Sequence, residues 1–144
     1  INVRKQTLEG MQAPDFSLPD TAGNMVSLSS LQGKYVLLDF SASWNGVGRS
    51  RHPGFRQIYN KFKGRNFEIY QAFFERSREE WQNVIEADKI IWICVSDLKG
   101  LESDVINLYG IRSLPKNFLL DKRGVIISKN LSPEEIDIIL EELL

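Results

Sequence analysis

The 144-residue sequence predicts one α/β domain over residues 1–144, a central sheet flanked by helices. Three observations carry that expectation. Residues 35–40 form an apolar run broken only by Asp39, the pattern of a central strand covered on both faces. Further strand-length apolar runs alternate with segments whose apolar residues recur at helical spacing, which gives a right-handed parallel portion. Near each end, two short apolar stretches flank turn formers and read as hairpins. Hydrophobic content of 42% and charged content of 26% suit a globular chain long enough to bury a proper core.

Each element has its own signal. Residues 16–18 and 25–28 flank Asp20-Thr21-Ala22-Gly23-Asn24 and form the N-terminal hairpin. After the strand at 35–40, a helix is expected over residues 48–63 with Phe55, Ile58, Tyr59 and Phe62 on one face, kinked by Pro53 inside it. A strand follows at 67–74. Ser77 with Glu80 makes a capping-box pattern for a helix whose apolar face is Trp81, Val84 and Ile85. Residues 90–95 read as another buried strand. Leu101, Val105, Leu108 and Tyr109 mark a short helix ending at Gly110, a residue suited to the left-handed C′ position. Residues 118–120 and 125–127 flank Asp121-Lys122-Arg123-Gly124 as a second hairpin. Ser132, Pro133 and Glu135 start the last helix, which turns Ile136, Ile139, Leu140 and Leu143 inward.

Composition excludes several function classes. A net charge of −1 creates no global field for nucleic acid or an anionic membrane. No apolar run nears the roughly 20 residues of a membrane span. One cysteine, Cys94, and one histidine, His52, cannot build a structural zinc site or an internal disulfide. No metal and no cofactor is expected. The sequence opens at Ile1 and its first methionine is Met11, so the expectation is a processed or excised piece whose signal or lipid anchor lies outside it.

Residues 44–49 read Trp44-Asn45-Gly46-Val47-Gly48-Arg49, between the core strand and a helix. This layout resembles the thioredoxin-like domain of the TlpA/ResA-like (redoxin, AhpC/TSA) thiol-disulfide oxidoreductase family, whose motif there is Trp-Cys-x-x-Cys-Arg. The opening Gly10-Met11-Gln12-Ala13-Pro14-Asp15-Phe16 and the strand at 33–40 are similar to that family. So are Pro53, Tyr109-Gly110-Ile111, Leu114-Pro115 and Phe118-Leu119-Leu120-Asp121. The resemblance implies a thioredoxin-like fold with a mixed sheet, an N-terminal hairpin extension and a cis-proline loop at Leu114-Pro115. It also implies an extracytoplasmic, bacterial setting. The departures are Asn45 and Gly48 for both cysteines, Val47 for a common proline, Ser41 for a frequent tryptophan and Lys116 for a small hydroxyl residue.

Dithiol exchange needs one thiolate to attack and a second thiol to resolve. An asparagine amide and a glycine supply neither, so no catalytic residue is expected at Asn45 or Gly48. Asn45 reads as a helix cap. The retained Asp39 aligns with the carboxylate that accepts a proton beneath the second cysteine in some relatives, and is expected to be satisfied by local donors. His52, one turn after Gly48, could lean into the space the second cysteine leaves, although a structural role fits a lone histidine better. Cys94 sits in an apolar strand as an inert small hydrophobe. Gly46-Val47-Gly48 lacks the further glycine or Gly-Lys-Ser/Thr of a phosphate loop. Arg49, Arg51 and Arg56 either form a solvated basic face or hold an anion.

The function expected is a redox-inactive relative that binds a polypeptide or small ligand at the old active-site face. Trp44, Asn45, Gly46, Val47, Leu114 and Pro115 would form that face, with the backbone beside Pro115 pairing with an extended segment. The alternative is an oxidoreductase or peroxidase-like enzyme using Cys94 or a partner's thiol. The partner would be a polypeptide or a larger parent chain, with any membrane attachment through an N-terminal anchor.

Overall fold

A computed structural model describes residues 7–144; residues 1–6 of the expected domain lie outside the described part. Seven strands and five helices follow in order. β1 (Ser17–Pro19) and β2 (Met25–Ser27) form an antiparallel hairpin of their own. β3 (Tyr35–Ser41), β4 (Phe67–Phe73) and β5 (Ile93–Val95) run parallel. β6 (Lys116–Leu120) pairs antiparallel with β3, and β7 (Ile126–Lys129) with β6. The sheet order is β5-β4-β3-β6-β7, so the apolar run around Asp39 is the central strand. The helices are α1 (Gly46–Ser50), α2 (His52–Phe62), α3 (Arg78–Ala87), α4 (Asp104–Tyr109) and α5 (Pro133–Leu143).

Alternation along the strands divides the core in two. Val36, Leu38 and Phe40 face the layer that holds the hairpin's Leu18 together with Val105 and Tyr109 of α4. Leu37, Ile69, Phe73 and Leu119 face α2, α3 and α5 through Phe55, Phe62, Trp81, Ile136 and Leu140. Asp39, Gln71 and Asn117 lie side by side in the register of β4, β3 and β6. They put three buried polar side chains in the middle of an apolar sheet.

Several local expectations need correction. The helix expected over 48–63 is two helices rather than one kinked helix. Pro53 sits in the first turn of α2, where its missing N–H leaves no bond unmade, and the chain restarts at Arg51. The strand expected over 90–95 is only Ile93–Val95, because the Ile90 N–H closes the end of α3 by donating to the Ile85 carbonyl (2.9 Å). Leu101 lies in a separate short 3-10 turn before α4 and is exposed. Ser77 caps α3 through the Glu80 N–H, while the reciprocal capping box forms only at Ser132 and Glu135 of α5. Leu143 points outward, since α5 buries only Ile136 and Leu140 fully. Gly110 ends α4 at φ 62°, in the left-handed C′ conformation.

Candidate functional site

The loop between β3 and α1 carries the two positions where the thiols would stand. Asn45 caps α1: its Oδ1 accepts from the Gly48 N–H at 2.7 Å, as expected of an asparagine in this place. Its other end does something the sequence does not announce. Asn45 Nδ2 donates to the Leu114 carbonyl at 3.1 Å, tying the α1 loop to the loop before β6. The Leu114–Pro115 bond there is cis. The loop is held from behind by Glu75, whose buried carboxylate accepts from both the N–H and the hydroxyl of Ser43. Trp44 and Val47 are thereby presented outward, at 58% and 61% exposure, beside exposed Gly46 and half-buried Leu114 and Pro115.

Gly48 is buried, and Ser41 explains what replaced the missing side chain. A Cβ at position 48 would fall inside contact distance of Ser41 Oγ and lie 3.2 Å from Asn45 Oδ1. The serine hydroxyl occupies the space into which the side chain of residue 48 would project. It has no hydrogen-bond partner among the described residues, and neither does Asp39 Oδ1 two residues earlier on the same face. Asp39 is fully buried; burial pushes its carboxyl up to about 7, opposed by the Gln71 hydrogen bond and the charge of Arg51. The expectation that local donors satisfy Asp39 holds for one oxygen only: Gln71 Nε2 donates to Oδ2 at 2.8 Å.

Gln71 is the residue sequence reasoning missed. The Trp92 indole N–H donates to its Oε1 at 2.8 Å, and an indole can only donate, so the amide orientation is fixed. Its Nε2 then donates both to Asp39 and to His52 Nε2 at 2.9 Å. The imidazole must therefore accept at Nε2 and donate from Nδ1, where Asp88 Oδ2 lies at 2.8 Å. Desolvation lowers the His52 pKa despite Asp88, so the ring is neutral. His52 does not lean into the space at Gly48; it is a satisfied core residue among Phe55, Phe73 and Trp92. The one sequence signal for Gln71 is a lone amide in an otherwise apolar strand.

The arginines are engaged by the protein rather than left to an anion. Arg49 binds both oxygens of Asp88 (3.0 and 2.8 Å) and holds that carboxyl below the usual range. Arg56 donates to the Asp88 carbonyl at 3.1 Å, and Arg51 reaches the Leu131 carbonyl at 3.5 Å. Cys94 is buried, accepts the Trp81 indole N–H at 3.2 Å and has its thiol pushed up to about 12 by burial. Such a thiol does not form the thiolate that nucleophilic chemistry requires. Among the described residues no group of side chains could hold a metal ion, and no helix is long and apolar enough to cross a membrane.

Comparison with known proteins agrees with this fold. The AhpC/TSA family model matches residues 10–129. The thioredoxin-like protein YneN of Bacillus subtilis is 32% identical over 120 residues, covering 82% of this chain and 68% of the relative. The thiol-disulfide oxidoreductase ResA of the same organism is 29% identical over 119 residues, 83% and 65% of the two chains. Among solved structures, the thioredoxin domain of a thiol-disulfide oxidoreductase from Bacteroides vulgatus superposes with a TM-score of 0.89 at 34% identity. It covers 94% of this chain and 97% of that one. A thiol-disulfide oxidoreductase from Bacteroides fragilis gives 0.86 at 32%, covering 93% and 100%.

Proposed function

The chain belongs to the AhpC/TSA family, with a thioredoxin-like fold and without a CxxC pair, and from that premise we propose a redox-inactive domain that binds a polypeptide or small ligand at its former active-site face. The observation that carries this reading is the fate of the sulfur. The motif positions are Asn45 and Gly48, and the single cysteine is a buried thiol bonded to an indole. Meanwhile the apolar surface that would meet a partner is kept: Trp44, Gly46 and Val47 on one side, Leu114 and Pro115 on the other, with Asn45 between them. The partner is a polypeptide or the rest of a longer parent chain. An extracytoplasmic location goes with this reading through the likeness to ResA-type thiol-disulfide oxidoreductases.

The test is disulfide-reductase turnover with excess dithiothreitol, for the chain and for Cys94→Ser. The expected result is no rate above background in either. A rate that disappears in Cys94→Ser would make that cysteine a nucleophile and replace this proposal with the enzymatic one.

A further inference from the structure

The former active-site face is unusual in what it offers a partner. The Leu114 carbonyl already accepts from Asn45, and none of the hydrogen bonds among the described residues uses the Leu114 N–H. The backbone group left wholly free for a ligand is thus a donor, while the carbonyl keeps one lone pair. The side chains on either side of the Leu114–Pro115 bond are also donors: exposed Arg112 before it and half-buried Lys116 after it. No carboxylate forms a salt bridge with either among the described residues. Lys116 lies over the Phe118 ring, and desolvation together with the charge of Lys129 lowers its pKa, the state of a cation without a counter-ion. Of the acids on the Trp44 side of the face, Glu75 is committed to Ser43 and Glu102 to Arg76 at 2.8 Å, while the Glu80 carboxylate beside Trp44 forms no salt bridge among the described residues.

Resting on the binding role proposed above, we infer that this face takes an acidic polypeptide segment. Its backbone carbonyl would accept from the Leu114 N–H, its carboxylates would meet Arg112 and Lys116, and its apolar side chains would lie against Trp44. A ligand rich in acceptors and negative charge complements an edge of donors and cations. A neutral strand would gain less, because it brings no carboxylate to the two unpaired cations.

The experiment is a titration of the isotope-labelled chain with three capped peptides of alternating valine and glutamate, valine and glutamine, or valine and lysine, read at the Leu114 amide and the Trp44 indole. The glutamate peptide is expected to bind best and to weaken as salt is raised. Arg112→Gln and Lys116→Gln should each weaken it about threefold, the weight of one partly screened ion pair, without moving the unfolding midpoint. Equal binding of the glutamate and glutamine peptides, or preference for lysine, overturns the acidic partner while the binding face stands. No shift at either reporter with any peptide overturns both.

Discussion

The two sides of Gln71 have been treated differently. Toward α2, every polar atom of the His52–Asp88–Trp92 cluster has a partner: the amide, the imidazole, the indole and the carboxylate close on one another and on Arg49. Toward α1, Asp39 Oδ1 and Ser41 Oγ are buried beneath a glycine without partners among the described residues. Asp39, His52 and Trp92 all bond to the same amide, so the contrast is not one of depth or of element. It separates polar groups that hold the fold from polar groups left where a reactive side chain would stand. Buried polarity contributes to stability only when it is fully satisfied.

The largest effect should come from removing the shared amide. Gln71→Leu leaves Asp39 and Trp92 without a partner and His52 with Asp88 alone, and is expected to cost about 4 kcal/mol in chemical denaturation, the range for breaking a buried network. A loss under about 1 kcal/mol would mean that the cluster contributes little and that the contrast is only geometric.

Asp39 gives the next effect through pH. Its carboxyl is near 3.8 when unfolded and about 7 when folded. Below the lower value both states hold the proton and nothing is lost. As pH rises between the two values the unfolded state ionises first, so stability falls, and it stays low above about 7. In Asp39→Asn this fall disappears: the stability difference between variant and parent should shift by about 3 kcal/mol in the variant's favour from pH 4 to pH 8. The slope that remains should have the opposite sign. His52 has a lowered pKa, so its contribution is present above its unfolded value of 6.5 and is lost as pH falls through the lower folded value. A variant that keeps the parent's pH profile would show that Asp39 is not buried in ionisable form.

Gly48 and Ser41 should behave as one unit. Gly48→Ala alone drives a Cβ against the Ser41 hydroxyl, and is expected to cost about 1 kcal/mol even though alanine favours the helix by about as much. In a Ser41→Ala background the same change should be stabilising, a coupling of about 2 kcal/mol in a double-mutant cycle. Additive effects would show that the serine simply rotates away. The smallest effect belongs to Asn45. Losing both its cap and its tie to Leu114 in Asn45→Ala should cost about 1 kcal/mol, and Asn45→Asp, which keeps the acceptor, should cost less.

Much of this was legible in the sequence because it is local. The Asn45 cap, the Ser132–Glu135 capping box and the left-handed Gly110 each depend on residues within one turn. The apolar periodicities name nearly all the core faces, and the strand through Asp39 reads as central from its own residues. The missing thiols were visible as letters. Where local reading failed, at residues 48–63 and 90–95, the outcome hinged on how a backbone group was used. Pro53 fits a fresh helix start better than a kink, and the Ile90 N–H serves the end of α3 instead of a strand.

The tertiary structure alone decided which polar groups meet. Asp39 and Gln71 are 32 residues apart, His52 and Asp88 36, Asn45 and Leu114 69. No periodicity or spacing encodes such pairs; they follow from the register of β3 against β4 and from where α2 and the loop before β6 come to rest. The sequence determined that two sulfurs are absent. Only the packing decided that a serine hydroxyl stands in the space beneath Gly48 and that an asparagine amide bridges to the Leu114 carbonyl, because occupancy of a buried space is a property of neighbours brought together by the fold.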